Sequence, residues 1–462
     1  MRSAQRIPSP IPRQGCLHTG NGPTQVKKIL ATGGVAIMLA ATLSGCSTGA
    51  AEASCQNKIV NSAATVVNVW AWYPEFESVV DLFNNTHDKV QVCWTNVGAG
   101  NDEYTKFSTA IEAGSGAPDV IMLETEVVQS YIPRDALADL TSYTADIKQN
   151  YSEGAWADES SGAGVYAIPV DGGPVGMLYR KDIFDKYGIA VPTTWEEYAA
   201  AAQALKDAGS TSMITDFAGN GRAYQQALFA QAGSIPYTVD GTNVTVDLND
   251  AASLKVLTYW QDLVSKGLVG TEDASTTDYN THLVDGTYAS TIAAAWLPGY
   301  LAGFTGAESG AVWQAAPIPQ WAGETPKQVN IGGSAFSVTS QAKDKDAAAT
   351  VAKDIFGTEE AWKLGIEKAA LFPLWKPILT SSYFTDRAYD FFGGQQINKD
   401  VFLAAANDYS GFQVSPFQNL AYDKLTEAVN SVSSGAATPA DALATYQKAV
   451  TEYATSQGYT VK

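Results

Sequence analysis

Few residues of this chain are suited to covalent chemistry. Four cysteines and three histidines occur among its 462 residues. His87 lies in the sequence NNTHD, which is typical of a turn that ends a helix, and neither His87 nor His282 lies at metal-ligand spacing from a cysteine. The sequence contains no P-loop, dinucleotide-binding glycine triplet, His-Glu-x-x-His or Gly-x-Ser-x-Gly motif. We therefore expect no metal ion, no cofactor and no histidine-based hydrolase.

Carboxylate pairs are the remaining candidates for catalysis. Glu124 and Glu126 follow a predicted strand, and Asp102 is adjacent to Glu103. Two carboxylates that flank a glycosidic bond are able to hydrolyse it. Any acidic chain contains such pairs, however, and a ligand-binding or surface role suits these positions equally well. A secreted glycoside-active enzyme therefore stays open as an alternative function.

The composition excludes several classes of protein. The chain has 29 Lys and Arg residues against 48 Asp and Glu residues, and 45% of its residues are hydrophobic. A disordered chain, a coiled coil and a nucleic-acid binder that relies on bulk basic charge are thereby excluded. At about 150 residues per domain, the length indicates two or three domains. The acidic surface favours a neutral or cationic ligand over an anionic polymer.

The amino-terminal region is typical of an export signal. Lys27 and Lys28 precede an apolar run at residues 29–43, and this run is too short to span a bilayer comfortably. No later apolar segment approaches the ~18 residues that a membrane span needs. The remainder of the chain is therefore expected outside the cytoplasmic membrane.

The apolar run ends in the sequence LSGC, which resembles the lipobox of bacterial lipoproteins. In such proteins cleavage leaves the cysteine, here Cys46, as the lipid-carrying first residue. This resemblance assigns residues 1–45 to a leader and signal peptide and residues 46–61 to a tether. It implies a protein held at the extracellular face of the cytoplasmic membrane, with the lipid as its sole membrane contact.

Two further cysteines, Cys55 and Cys93, follow the predicted lipidation site. We predict a disulfide between them, because thiols exposed to an oxidising compartment tend to pair. Two separately buried free thiols are the alternative.

The pattern of apolar residues is that of an α/β protein. Strands and helices alternate at first, as in the βαβ units of a parallel sheet, and the carboxyl-terminal part is mainly helical. The predicted strands are residues 65–72, 90–94 and 119–123, and the predicted helices are residues 76–86, 104–113, 347–356, 359–368, 398–406, 419–431 and 440–455.

One stretch of sequence resembles a known family. Residues 178–189 (LYRKDIFDKYGI), followed by residues 192–197 (PTTWEE), are similar to a segment of the extracellular solute-binding proteins of sugar ABC importers, which are maltose-binding-protein-like. Thr193 or Thr194 is placed to cap the following helix, with acidic residues in its first turn. Three further segments agree with the family in order and spacing: residues 116–120, 285–296 and 434–443.

The resemblance implies an α/β, two-lobed periplasmic-binding-protein-like fold of type II, with a ligand cleft between lobes that close about a hinge. Lobe one is expected to hold residues 62–169 plus 296–333, and lobe two residues 170–295 plus 334–462. The chain is expected to cross between the lobes in three short passages, at residues 169–174, 291–295 and 331–335.

Sugar binding requires aromatic platforms for the C–H faces of the rings. Trp296 is the first candidate, because the resemblance places a stacking aromatic at the end of this strand. Trp72 and Tyr73 end the first predicted strand; Trp70 alternates onto the same face as Trp72, and we assign Trp72 to the cleft. Trp375 follows a loop that borders the cleft in relatives.

Sugar hydroxyls also require polar partners. Asp171 lies in the first crossing, where a carboxylate accepts hydroxyl protons and the neighbouring glycines allow close backbone approach. The glycines of this set are Gly172, Gly332 and Gly333, and the remaining candidates are Asn101, Asp102, Glu124, Glu126, Arg222, Tyr224 and Gln225. The other tryptophans are expected to pack inside the protein: Trp94, Trp195, Trp260 and Trp362.

The expected function is therefore that of a lipid-anchored extracellular binding protein. It captures a neutral oligosaccharide and delivers it to the permease subunits of an ABC importer, without a catalytic step. We expect a monomer with no nucleic-acid partner. A peptide or a polyamine stays open as an alternative ligand.

Overall fold

A mixed β-sheet runs through the part of the chain that this computed structural model describes, residues 55–305 and 311–462. The predicted signal peptide, Cys46 and most of the predicted tether lie outside these residues. Within them, no helix combines the length and the apolar character that a membrane crossing demands.

The strands are β1 (Thr65–Trp70), β2 (Val90–Thr95), β3 (Val120–Glu124), β4 (Ser160–Ser161), β5 (Gly164–Val165), β6 (Ile168–Arg180), β7 (Thr215–Asp216), β8 (Tyr237–Asp240), β9 (Asn243–Val246), β10 (Val269–Gly270), β11 (Ser290–Ala294), β12 (Trp313–Pro317), β13 (Asn330–Val338) and β14 (Thr460–Val461).

The helices are α1 (Glu77–Thr86), α2 (Asn101–Glu112), α3 (Thr125–Val128), α4 (Thr141–Thr144), α5 (Glu153–Asp158), α6 (Lys181–Tyr187), α7 (Trp195–Asp207), α8 (Arg222–Gln231), α9 (Ala251–Ser265), α10 (Thr277–Asp285), α11 (Leu297–Thr305), α12 (Lys345–Asp354), α13 (Glu359–Lys368), α14 (Lys376–Leu379), α15 (Ser382–Thr385), α16 (Leu403–Asp408), α17 (Gln418–Ser433) and α18 (Pro439–Ser456). Short 3₁₀ turns lie at Ile132–Arg134, Lys148–Asn150 and Asp390–Phe392, and a π-helix at Asn398–Phe402 leads into α16.

The central sheet has the strand order β11-β6-β13-β3-β1-β2, and β12 also pairs with β6. Strands β1, β2 and β3 are parallel, whereas β13 is antiparallel to both β3 and β6. The first half of β6 pairs with β13, and its second half pairs with β11 and β12. Strand β6 is buried along its whole length. It therefore connects the two ends of the molecule as a continuous element.

Two large hydrophobic cores lie at these two ends. The first surrounds β1, β3 and β13 and includes Val69, Phe76 and Phe336. The second is mainly helical and includes Trp195, Trp260 and Leu425 from α7, α9 and α17. Apolar residues that recur at helical spacing give each of these helices one face to bury.

The packing of α12 and α13 differs from the expected division into lobes. Helix α12 packs against β1, β2 and β3, and α13 packs against α1. Buried residues Val351 and Trp362 thus join the first core, although residues 334–462 were expected to belong to lobe two. The apolar face of each helix is visible in the sequence, but several of the elements that it covers, β1, β2 and β3 for α12 and α1 for α13, lie more than 200 residues away along the chain.

Local sequence signals agree well with the structure. Thr194 caps α7: its Oγ1 accepts a hydrogen bond from the Glu197 amide at 3.1 Å, and the Glu197 carboxylate accepts one from the Thr194 amide at 3.3 Å. The predicted disulfide between Cys55 and Cys93 is present, with their Cα atoms 4.9 Å apart. It joins the start of the described chain to β2.

The tryptophans expected to pack inside the protein behave in two ways. Trp195, Trp260 and Trp362 are almost fully buried. Trp94 is only half-buried, because its indole lies at the edge of the first core and its Nε1 donates to the Ala71 carbonyl at 2.8 Å. Tryptophans on helices that face a core are thus fully enclosed, and the one on a short edge strand is not.

Candidate ligand-binding cleft

A cavity of about 620 Å³ lies where the ends of the central strands meet the helical part of the molecule, and we call it the first cavity. Trp72 and Glu124 reach it from the ends of β1 and β3. Asp216 and Tyr224 reach it from β7 and the first turn of α8 on the opposite side. Its volume falls within the range of about 300 to 1,000 Å³ that is usual for small-molecule sites.

The hinge strands β6 and β13 form one wall of the first cavity. Gly332 and Gly333 have φ angles of 67° and 107°, a region that favours glycine. The two strands approach so closely that a Cβ atom on Gly173 would lie 1.9 Å from the Ile331 carbonyl oxygen. The glycines predicted from the sequence are therefore needed to let these strands cross.

Trp296 precedes α11 and presents a fixed ring to the first cavity. Its Nε1 donates to the Ile331 carbonyl at 3.1 Å, which ties the indole to the hinge strand. The Tyr300 ring lies perpendicular to it, with 6.1 Å between the ring centres. Both rings line the first cavity. Their orientation is set by the placement of α11.

Helix α11 is held against the loop that follows α13. A Cβ atom on Gly299 would lie 2.6 Å from the Ala370 Cβ atom, so the two backbones are in close contact. Ala370 has a φ angle of 54°, which is unusual for a residue other than glycine. Ala369, Ala370 and Leu371 line the first cavity at this point.

Trp72 and Tyr104 form a second aromatic pair at the first cavity. The Trp72 ring meets the Tyr104 ring edge to face at 5.8 Å, and the Tyr104 hydroxyl donates to Glu124 Oε2 at 2.8 Å. Burial raises the pKa of Glu124, and the Tyr104 hydrogen bond and the nearby Arg222 charge oppose this rise. Glu124 is thus an oriented acceptor next to an aromatic ring.

Asp171 belongs to a buried hydrogen-bonded group on the hinge strands. The Ser334 hydroxyl contacts the Asp171 carboxylate, and the Tyr73 and Ser334 hydroxyl oxygens are 2.5 Å apart. Burial raises the pKa of Asp171 to about 7. Near neutral pH this carboxyl is thus able to accept or donate a hydrogen bond.

The helical side contributes Asp216 and a tyrosine without a hydrogen bond. Burial raises the pKa of Asp216 to about 7, and the Tyr279 hydroxyl partly offsets this effect. The Tyr224 hydroxyl is buried and has no hydrogen-bond partner among the described residues. A buried hydroxyl without a partner destabilises a protein, and a ligand atom would satisfy it. Tyr224 is therefore a candidate for direct ligand contact.

The structure brings many of the predicted residues together. Those that line the first cavity are Trp72, Tyr73, Glu124, Asp171, Tyr224, Trp296, Gly332 and Gly333. Residues that sequence reasoning missed also line it: Asp216, Tyr279, Asn280, Tyr300 and Ser334. Of these missed residues, only Tyr300 had a clear signal in the sequence: it follows Trp296 by four residues, which places both on one face of a helix.

Other predicted residues lie outside the first cavity. Asn101 and Asp102 are exposed in the first turn of α2. The Gly172 amide donates to the Phe372 carbonyl at 2.9 Å within the hinge region. Trp375 packs against the first core at the start of α14, and the preceding residues 369–371 border the cavity instead.

The last three predicted residues lie around α8. Gln225 is buried in that helix, and its Nε2 donates to the Ala218 carbonyl at 2.6 Å. The Arg222 guanidinium lies over the Tyr422 ring, 5.2 Å from its centre. Glu126 lines a neighbouring cavity of about 460 Å³, which we call the second cavity.

Comparison with known proteins identifies the family. The model of the bacterial extracellular solute-binding proteins matches residues 71–361. The binding protein associated with an ABC transporter of B. animalis subsp. lactis Bl-04, solved in complex with β-1,6-galactobiose, is 30% identical, with a TM-score of 0.76. The match covers 86% of this chain and 100% of that one.

Curated relatives agree with this assignment. The lactose-binding protein of Rhizobium radiobacter is 22% identical over 351 residues, which cover 72% of this chain and 80% of that protein. The melibiose/raffinose/stachyose-binding protein MelE of Bacillus subtilis is 26% identical over 192 residues, 41% of this chain and 42% of that protein. The predicted α/β periplasmic-binding-protein fold is thus confirmed, and this chain belongs to the family of bacterial extracellular solute-binding proteins.

Proposed function

We propose that this protein binds a neutral oligosaccharide in the first cavity and delivers it to the permease subunits of an ABC importer. The observation that supports this most directly is the pairing of aromatic faces with buried carboxyl and hydroxyl groups in one cavity. The relatives named above bind lactose, β-1,6-galactobiose, or melibiose, raffinose and stachyose, as their names state.

The aromatic residues suit the C–H faces of sugar rings. Trp296 is anchored by its hydrogen bond to Ile331 and supported by Tyr300, so little side-chain freedom is lost when a sugar stacks on it. Trp72 is supported by Tyr104. Two supported rings in one cavity give the C–H faces of sugar rings two places to stack.

The polar residues suit its hydroxyl groups. Asp171, Glu124 and Asp216 supply oriented carboxyl groups, and Tyr224 supplies a hydroxyl that lacks a partner within the described residues. Burial raises the pKa values of all three carboxyl groups, and those of Asp171 and Asp216 reach about 7, so these two groups hold less charge near neutral pH. A neutral ligand with many hydroxyls fits these groups better than an anion does.

Ligand capture is proposed to close the two ends of the molecule about β6, β11 and β13. These strands contain the three predicted crossings, at residues 169–174, 291–295 and 331–335. Binding between two bodies favours the closed arrangement, because the ligand contacts both bodies only when they are closed. A monomer is sufficient for this mechanism, and no residue is given a catalytic role.

Attachment to the membrane is proposed to occur through a lipid on Cys46. The sequence LSGC and the preceding apolar run support this proposal. Replacing Cys46 with alanine is expected to release the protein from membranes into the medium of the cells that export it. Retention of the Cys46→Ala protein in the membrane fraction would contradict the lipid anchor.

Calorimetric titration of the purified protein tests the ligand class. The panel contains lactose, melibiose and β-1,6-galactobiose, with a peptide and the polyamine spermidine as ligands of other classes. We expect saturable binding of a sugar and no cleavage products by chromatography. Binding of the peptide or spermidine alone would overturn the sugar assignment, and product formation would indicate an enzyme.

The Trp296→Ala variant tests the site. Loss of the stacking face is expected to cost about 1 to 3 kcal/mol of sugar-binding free energy, in the range of buried aromatic anchors. Trp375→Ala is the matched control, because Trp375 lies outside the first cavity. Thermal unfolding of both variants separates folding from binding. Unchanged affinity in Trp296→Ala would remove Trp296 from the site.

A further inference from the structure

The second cavity lies beside the first and differs from it in chemistry. Its volume is about 460 Å³, and the polar residues of its lining include Glu126, Asp158, Gln226 and Gln413. Gly332 lines both cavities. The two cavities therefore adjoin at hinge strand β13.

Helix α8 runs along both cavities. Gly221 and Tyr224 line the first, and Ala223 and Gln226 line the second. Arg222 lies between these positions, with its guanidinium over the ring of Tyr422. The two cavities are thus bordered by neighbouring residues of α8.

The carboxyl groups of the second cavity are held in place by protein donors. Asp158 Oδ1 accepts from the Phe412 amide at 3.1 Å, and Glu126 Oε1 accepts from the Tyr422 hydroxyl at 3.3 Å. The Tyr409 hydroxyl also bonds to Asp158. A carboxylate offers about four lone-pair sites, so these bonds leave acceptor capacity on both groups.

Burial also reduces the charge of these groups. It raises the pKa of Glu126 to about 8, with a further contribution from Glu124, and it raises the pKa of Asp158 to about 7. Near neutral pH both groups are partly protonated, so they accept and donate hydrogen bonds. The amides of Gln226 and Gln413 have the same dual character. Hydroxyl groups of a neutral ligand match such a lining.

We propose that the second cavity is an extension subsite for a sugar chain whose first units occupy the first cavity. The inference rests on the proposed function and adds to it a preference for ligands longer than a disaccharide. The first cavity offers ring faces together with carboxyl and hydroxyl groups, and the second offers amides and carboxyl groups to further sugar hydroxyls. Affinity is therefore expected to increase with chain length.

Titration with two homologous series tests the extension subsite. One series is melibiose, raffinose and stachyose; the other is the β-1,6-linked galactose dimer, trimer and tetramer. We expect the tetrasaccharide of the bound series to bind about tenfold more tightly than the disaccharide, as one or two added hydrogen bonds allow.

A substitution that fills the second cavity gives a specific readout. Ala223→Leu adds volume to the cavity wall on α8, and leucine is a good helix former. We expect this substitution to remove the increase in affinity with chain length and to leave the affinity for the disaccharide within about twofold of the wild-type value. Ala200→Leu makes the same change at an exposed position of α7 and serves as the matched control. A second variant, Gln413→Ala, removes one amide without adding volume and should reduce the gain partly.

The outcomes separate this inference from the proposed function. Disaccharide binding without any gain for longer chains would overturn the extension subsite and leave the proposed function intact. A gain that persists in Ala223→Leu would place the added units elsewhere and would also overturn it. No binding of either series would overturn both.

Discussion

The two cavities that meet at Gly332 are built from neighbouring segments but have different walls. In the first, the rings of Trp72 and Trp296 are fixed by an edge-to-face contact and a hydrogen bond. In the second, Glu126 and Asp158 are fixed by donors from Tyr422 and the segment that precedes α17. The first thus combines aromatic faces with hydrogen-bonding groups, and the second offers hydrogen-bonding groups at another position. Residues only a few positions apart on α8, or at and just beyond the end of β3, therefore present different chemical groups to a ligand.

The hinge strands are what the two cavities share. Because Gly332 lines both, a change in the crossing of β6 and β13 alters both together, whereas a change in α11 alters only the first. Substitutions in these elements therefore test whether the cavities are independent.

The largest effect is expected from Gly173→Ala. The added methyl group would overlap the Ile331 carbonyl oxygen, which is backbone and cannot rotate away. We expect the free energy of unfolding to fall by about 3 kcal/mol or more, at the upper end of the cost of overpacking, with weaker binding in both cavities. Urea unfolding and titration measure the two effects. Wild-type stability and affinity would mean that the strands are free to separate here.

The buried carboxyl groups predict a dependence of stability on pH in the absence of ligand. Unfolded aspartates have pKa values near 4, whereas burial raises those of Asp158, Asp171 and Asp216 to about 7 in the folded state. Between pH 4 and pH 7 the folded state therefore binds more protons than the unfolded state, so the free energy of unfolding decreases as pH rises from about 4 to about 7. The sum over these groups is expected to reach several kcal/mol.

Substitution of one carboxyl group isolates its contribution. Asp216→Asn keeps the size of the side chain and removes the titration, so the curve of unfolding free energy against pH should become less steep between pH 4 and 7. Glu272, which raises the pKa of Asp216 further, is unchanged in this variant. Asp247→Asn, at an exposed position, is the matched control. Equal slopes for Asp216→Asn and wild type would contradict the raised pKa.

A smaller effect, confined to the first cavity, is expected from Gly299→Ala. The new methyl group would contact Ala370 at 2.6 Å, so α11 must shift and carry Tyr300 with it. We expect the affinity for the disaccharide to fall about tenfold, while any increase in affinity from the disaccharide to longer chains stays unchanged. Gly303→Ala lies on the same helix, where a Cβ atom would meet no heavy atom of the described residues within 4 Å. Equal affinities for the two variants would show that α11 does not position the site.

Much of the candidate site was accessible from the sequence, for a specific reason. Trp72, Glu124 and Trp296 each lie at or beyond the end of a strand, and strand ends in an α/β sheet lie near its ligand-binding crevice. Asp216 was missed because β7 has only two residues and leaves no periodic pattern. Trp375 was expected at the cleft, but the chain turns at Ala370 and directs residues 369–371 there instead.

Local features were determined by the sequence alone. The cap at Thr194, the positions of the predicted strands and helices, the pairing of Cys55 with Cys93 and the glycines of the hinge follow from residue types. The cap and the strands and helices depend on groups a few residues apart, whose geometry the backbone fixes. Family resemblance supplied the overall fold, which was then confirmed by comparison.

Only the tertiary structure decided which surfaces meet. It placed α12 on the central sheet and brought Asp216 into the same cavity as Glu124. It also placed Glu126 in the second cavity, although Glu124, two residues earlier, lies in the first. An apolar face on a helix predicts that this face will be buried, but it does not identify the packing partner, because any apolar surface of suitable shape is able to cover it. The convergence of distant carboxyl groups likewise depends on packing across the whole chain, and that packing sets both their positions and their pKa values.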